Sequence, residues 1–170
     1  EGALKKAIGM FALAAWDRAD RTLALARDRL GEKPLYYGWQ GGAFLFGSEL
    51  RALRAHPEFR AEISRDALTL LARYNYIPAP HSIFRGISKL SPGTILTVSA
   101  DGKAPRLHPY WDAKQIIEQA QSCPFPGTLS EAVDELEVLL RDAVAKQMIT
   151  DVPIVAFLSG GVDSSAIVAL

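Results

Sequence analysis

Cysteine is nearly absent: Cys123 is the single one among 170 residues. One thiol excludes an internal disulfide and fits a reducing, cytoplasmic setting. No run of 18 apolar residues exists, which excludes a membrane-spanning helix. Neither sign of charge dominates. Lys and Arg total 19, as do Asp and Glu, which leaves no electrostatic case for nucleic acid or an anionic membrane as partner. Histidine is sparse: His56, His81 and His108 are scattered without metal-ligand spacing, so no metal centre is expected from them. A secretory leader is excluded too. The apolar stretch from Ala7 to Ala15 runs into Trp16-Asp17-Arg18 where a cleavable leader needs small residues. Repeats and low-complexity segments are also missing. Two nucleotide motifs are absent, G-x-x-x-x-G-K-[ST] and G-x-G-x-x-G.

What is there is a globular profile, 49% hydrophobic and 22% charged, long enough for one domain or parts of two. The most informative stretch is Ser159-Gly160-Gly161-Val162-Asp163-Ser164-Ser165. An apolar run, Val152 to Leu158, precedes it, and a second, Ala166 to Leu170, follows. That order reads as a buried strand, a glycine turn and the start of a helix. Adjacent glycines admit a ligand close to the backbone, and a helix start favours an anion. Serine hydroxyls add donors for phosphate oxygens. The plainer reading is a strand-to-helix turn with Asp163 or Ser164 as the N-cap.

Earlier in the chain, residues 10–48 read as consecutive antiparallel strands. Met10 to Trp16 and Thr22 to Ala26 flank a polar turn. Leu35 to Trp39 and Ala43 to Gly47 flank Gln40-Gly41-Gly42 as a hairpin. The unbroken apolar character of Met10–Trp16 and Ala43–Phe46 predicts strands covered on both faces. A short helix is expected over Glu49 to Ala55. A second, N-capped by Ser64, is expected from Arg65 to Tyr74. Residues 83–90 read as irregular. Pro92-Gly93 turns into a strand at Thr94–Val98, and Asp101-Gly102 makes a further turn. Ala113 to Gln121 reads as a helix, and Ser122 to Gly127 as a proline loop. Thr128 and Glu131 then fit a capping box for a helix of about five turns reaching Met148.

Several of these stretches resemble one family in its order. Gly9 to Asp17, Ala26 to Tyr37 (R-D-x-x-G-x-x-P-L-Y) and Phe46 to Leu53 (S-E-x-x-A-L) are similar to the glutaminase domain of glutamine-hydrolysing asparagine synthetases. Tyr76 to Pro80, Ile83 to Ile87, Leu90 to Gly93 and Tyr110-Trp111 resemble the join between that family's domains. Asp151-Val152-Pro153 and Phe157 to Ser165 resemble the pyrophosphate loop of its ATP-pyrophosphatase-type synthetase domain. The fold this implies is α+β, then α/β. It comprises the later part of an N-terminal-nucleophile antiparallel-sheet glutaminase domain (1–112), a linker (113–127) and the start of a parallel-sheet domain (128–170).

The implied chemistry has two halves. A class II glutaminase hydrolyses glutamine with the thiol of an N-terminal cysteine, and ammonia passes to the synthetase domain. There ATP, with magnesium (Mg2+), adenylates aspartate, and ammonia displaces AMP to give asparagine. By the resemblance, the nucleotide-binding residues are Leu158, Ser159, Gly160, Gly161, Asp163, Ser164 and Ser165, with the Leu158 backbone near adenine. Asp163, a like charge beside phosphates, takes either a capping or a magnesium-linked role. A homodimer is among the assemblies the resemblance allows.

This chain departs from the pattern at position 1, which is Glu, so no catalytic residue is assigned. Cys123 is no substitute, since a nucleophile that uses its own α-amine must be residue one. The chain opens without Met and stops five residues into an apolar stretch, so the expectation is an internal fragment, inactive and poorly soluble alone. Two other readings stay open. One is a β-lactam-synthetase-like enzyme, which shares the two-domain plan but lacks the cysteine. The other is a non-catalytic scaffold. Arg27 and Asp28 are expected to brace the turn at Gly31 and Pro34, and Glu49 to charge a helix start. Tyr36, Tyr37, Trp39, Phe44 and Phe46 are expected in the core.

Overall fold

The computed structural model describes residues 2–100 and 104–170. The turn expected at Asp101-Gly102 lies outside the described residues. The chain divides into two compact units, Glu1–Ile116 and Ile117–Leu170.

In the first unit a short helix, α1 (Gly2–Lys6), precedes the hairpin of β1 (Ala12–Asp17) and β2 (Thr22–Arg27). These strands pair antiparallel from Ala12↔Arg27 to Asp17↔Thr22. Asp17 closes their turn by accepting the N–H groups of Ala19 at 2.8 Å and Asp20 at 3.0 Å, which is why an aspartate there favours a bend. A second hairpin joins β3 (Tyr36–Gln40) and β4 (Ala43–Gly47) through Gly41-Gly42. Helices α2 (Leu50–Arg54) and α3 (Arg65–Tyr74) follow, then β5 (Ile87–Lys89), β6 (Thr94–Ser99) and β7 (Arg106–Pro109). Ser64 caps α3 as its sequence predicts, accepting the Ala67 N–H at 3.3 Å.

The strands form two sheets, ordered β1-β2-β6-β7 and β4-β3-β5. Residues 10–48 are therefore not one run of paired strands. The open side of β2 takes β6, with Leu25 opposite Leu96, and the loop after β2 carries the chain into the other sheet. The segment read as irregular contains β5, which adds three residues to β3, and β7 adds four to β6. Strands this short carry no alternation to detect.

One core cluster joins Leu25, Leu96 and Val98 of the first sheet to Leu35 and Leu90. Tyr37 and Phe44 of the second sheet pack against it. A second cluster, Leu45, Leu53 and Ile87, lies under α2 and the 59–84 segment, with Phe59 and Phe84 edge to face at 5.2 Å. The expectation that Met10–Trp16 and Ala43–Phe46 are covered on both faces is corrected. β1 buries no residue, and in β4 only Leu45 is buried. β1 is an edge of its sheet, and its alanines offer little surface to bury. The aromatic set divides likewise: Trp39 and Phe46 are half exposed, while Tyr36, Tyr37 and Phe44 are partly buried.

Helix α4 (Ala113–Ser122) begins in the residues of the first unit and ends in those of the second, where α5 (Leu129–Gln147) and α6 (Val162–Ala169) follow. The capping box forms. The Glu131 N–H donates to Thr128 Oγ1, and the Thr128 N–H donates to Glu131 Oε2 at 2.7 Å. Those bonds, from the Thr128 N–H first and its hydroxyl second, hold the Glu131 carboxyl below its usual value. No described residue of Ile117–Leu170 is buried. The strand expected over Val152–Leu158 is not formed. The segment pairs with no strand among the described residues, and an extended segment without a ladder partner is no sheet element. Among the described residues, no helix is long and apolar enough to cross a membrane.

Candidate functional site

The structure brings Leu158 to Ser165 together as one exposed turn at the start of α6. Gly160 adopts φ +79, a left-handed conformation that a side chain resists, and it reverses the chain there. Gly161 stands at the N-cap position, with an extended backbone and no side-chain cap. The capping role expected for Asp163 or Ser164 is therefore not taken. Asp163 is instead the second residue of the helix, where its charge complements the helix dipole.

The serines are tied to one another. Ser159 Oγ and Ser164 Oγ lie 2.9 Å apart, and the Gly161 N–H donates to Ser159 Oγ at 3.4 Å. The hydroxyls of Ser164 and Ser165 both donate to the Gly161 carbonyl, at 3.1 and 2.8 Å. They back-bond to their own turn, which leaves the N–H groups of the first helical turn to face outward. A Cβ on Gly160 would meet nothing within 4 Å, and one on Gly161 only the two serine hydroxyls. The turn is open to a ligand, and its donors are backbone amides and hydroxyls. That set suits phosphate oxygens. Leu158, 62% exposed, is contiguous with it. Among the described residues, no three His, Cys, Asp or Glu side chains gather as a metal-binding group.

A second constellation lies in the first unit, where Arg27 and Asp28 brace the loop that follows β2. Asp28 is 1% exposed. Its carboxylate accepts the N–H groups of Glu32 at 2.9 Å, Lys33 at 3.0 Å and Phe11 at 3.3 Å. Burial pushes its carboxyl up, but the N–H donors from Lys33, Glu32, Phe11 and Gly31 outweigh that and hold it below the usual range. The Arg27 guanidinium donates to three carbonyls: Lys33 at 2.8 Å, Leu90 at 2.7 Å and Gly31 at 2.5 Å. Burial lowers its affinity for its proton, and nearby Asp28 and Tyr36 offset part of that. Both side chains are consumed by backbone groups, so they brace the loop as expected and have no free atom for chemistry. Glu49 sits at the N-cap of α2 and forms no side-chain cap.

Sequence reasoning assigned no bracing role to two residues here. Tyr110 donates its hydroxyl to the Arg27 carbonyl at 2.9 Å. Buried Gln40 donates to the Arg85 carbonyl at 2.8 Å and accepts the Arg60 N–H at 2.9 Å. Both bridge segments far apart in the chain, for which no local pattern exists.

A two-sheet antiparallel α+β unit is the plan the residue motifs imply for residues 1–112, whereas the parallel sheet they imply for 128–170 is not formed among the described residues, where the glycine-serine turn leads into α6. The chain belongs to the glutamine amidotransferase domain family, which matches residues 1–111. A second family, described as asparagine synthase, matches residues 135–170 and so takes in the whole glycine-serine turn. "Asparagine synthetase [glutamine-hydrolyzing] 3" of Bacillus subtilis is 39% identical over 163 residues, 95% of this chain and 25% of that protein. "Putative asparagine synthetase [glutamine-hydrolyzing] 2" of Methanocaldococcus jannaschii is 36% identical over 172 residues, 98% of this chain and 32% of that protein. "Amidase chry2" of Gibberella zeae is 30% identical over 165 residues, 95% of this chain and 23% of that protein. The chain thus spans between a quarter and a third of the two synthetases' length.

Proposed function

We propose that this chain is the segment of a glutamine-dependent asparagine synthetase that joins its amidotransferase unit to the start of its ATP-using unit. One observation carries the reading. The glutamine amidotransferase and asparagine synthase matches follow one another in a single chain, and the second contains Ser159 to Ser165. In the proposed reaction glutamine is hydrolysed to glutamate and ammonia. ATP adenylates the side-chain carboxylate of aspartate, and ammonia attacks the β-aspartyl-AMP. Asparagine, AMP and pyrophosphate leave.

In this reading Gly160 and Gly161 let the phosphates approach the backbone, and the first-turn amides of α6 receive them. Ser159 supplies a hydroxyl, while Ser164 and Ser165 shape the turn through the Gly161 carbonyl. Leu158 lies beside the adenine. Magnesium, when bound, would offset phosphate charge. Asp163 is the single carboxylate within the turn, which suits an ion that takes one or two protein carboxylates and fills its shell with water and phosphate. Val152–Leu158 becomes the first strand of a parallel sheet once a neighbouring strand pairs with it. The two-part organisation, 1–112 and 128–170 with a linker between, belongs to the same proposal, as does a cytoplasmic site of action, supported by the single thiol. Residues 1–111 contain no cysteine, so this chain supplies no glutaminase nucleophile.

The test is aspartate-dependent exchange of labelled pyrophosphate into ATP by the full-length protein. Exchange that requires aspartate supports the reading, and exchange that requires a different carboxylic acid replaces the acceptor. The relative named as an amidase makes that second outcome worth measuring.

A further inference from the structure

The first sheet ends in β1 on one side and in β7 on the other, and the two edges are built differently. Along an antiparallel strand, residues bond alternately to one side and the other. The Phe11 carbonyl accepts the Asp28 N–H at 3.0 Å, and the Arg21 carbonyl accepts the Ala100 N–H at 2.9 Å. Carried along the register, these bonds turn Leu13, Ala15 and Asp17 toward β2. The N–H and C=O groups of Ala12, Ala14 and Trp16 then point outward, where no strand among the described residues meets them. At the other edge the Tyr110 N–H donates to the Gly93 carbonyl at 2.8 Å, which turns Arg106 and His108 toward β6 and Leu107 and Pro109 outward. A proline has no N–H to give. With Pro109 and Arg106 among its four residues, β7 is a protected edge. The six residues of β1 hold no proline, no lysine and no bulge, and their single charge is Asp17 at the end. In the other sheet the edge strands are five and three residues long.

Both faces of β1 are bare as well. Trp16 is 52% exposed and Leu13 46%, and the alternation of a strand puts them on opposite faces. Ala14 stands opposite Leu25 and Trp16 opposite Leu23, so one face of β1 continues the face that holds the first core cluster. Covering that apolar surface strips water from the outward N–H and C=O groups. A partner that covers β1 must therefore also bond its backbone, and an added strand does both. We propose that β1 receives a further β-strand along its outer edge, supplied by the part of the full-length protein outside residues 1–170, with large apolar residues opposite Ala12 and Ala14, whose small side chains leave room. This chain covers 25% of one synthetase relative and 32% of another, which leaves ample length for such a strand. A strand of the same polypeptide also pairs without the cost of association that a second copy meets. The pairing rests on backbone groups and is independent of which acid the protein amidates.

The experiment is hydrogen–deuterium exchange of the full-length protein, resolved residue by residue along β1 and repeated over a dilution series with the oligomeric state measured alongside. Leu13 and Ala15, bonded to β2, serve as the internal reference. The expected result is that the amides of Ala12, Ala14 and Trp16 exchange at least about 100-fold more slowly than an unstructured chain and within about tenfold of that reference, at every concentration. Alternation along the strand, with Leu13 and Ala15 slow while Ala12, Ala14 and Trp16 exchange freely, means an open edge and overturns the proposal. So does free exchange of all five, which would mean that the strand itself is not held. Protection of Ala12, Ala14 and Trp16 that disappears on dilution as a dimer dissociates assigns the added strand to a second copy, and overturns it too. None of these outcomes depends on pyrophosphate exchange or on asparagine being formed, so failure of the asparagine synthetase reading is a separate result.

Discussion

Asp28 is buried as an anion and survives there because three backbone N–H groups point at its two oxygens. An asparagine side chain in its place would turn a donor toward some of those N–H groups. Asp28→Asn is expected to destabilise the first unit by about 2–3 kcal/mol, read by urea unfolding, because buried donors lose a charged acceptor. The pH dependence has a definite sign. The folded value lies below the ordinary carboxyl value of about 3.9, so the stabilisation is complete above that value. It is lost as pH falls through the lowered folded value, and Asp28→Asn flattens that acid limb. In the nucleotide turn the two glycines have different jobs. Gly160 needs its left-handed φ, while Gly161 has an ordinary backbone with room for a Cβ. Gly161→Val in the full-length protein is expected to abolish ATP–pyrophosphate exchange, with melting temperature and glutamine hydrolysis retained. Surviving exchange would show that phosphates do not approach this backbone.

Helices α3 and α5 start where side chains satisfy their first amides, Ser64 for one and Thr128 for the other. For α5 the reciprocal bonds of Thr128 and Glu131 set the prediction. The Glu131 carboxyl is held below its usual value, so its contribution is present above about pH 4.3 and lost as pH falls through the folded value. Helical circular dichroism of the second unit should decline in that window, and less so in Glu131→Gln. The strands were legible to unequal degrees. β2 and the β3–β4 hairpin follow alternation and a glycine turn. β5 and β7 exist because β3 and β6 offer open edges for three and four residues. Val152–Leu158 shows the converse: apolar character made a strand plausible, and no neighbour among the described residues completes it.

At the scale of the whole chain, the two units differ in how much they bury. The first has two packed clusters, whereas the second has no buried residue among those described, with Phe157 95% and Val155 81% exposed. The 170-residue chain is expected to bind a hydrophobic dye strongly, with the binding lost when Phe157 and Val155 are replaced by serine. It is also expected to release no ammonia from glutamine, because its single thiol, Cys123, is exposed and lies outside the matched residues 1–111. Release that an alkylating reagent blocks would contradict that assignment. By itself the sequence determined the hairpin turns, the caps of α3 and α5, most strand spans and the order of the family motifs. Each depends on residues within a few positions of one another, where a carboxylate, a hydroxyl or a missing Cβ acts directly on neighbouring backbone. Only the tertiary structure decided that β2 pairs with β6, that Tyr110 rests on the Arg27 carbonyl and that β1 lies uncovered. The pairings, the uncovered face and the Tyr110 contact involve groups tens of residues apart, and what selects them is which surfaces the packed layers leave free.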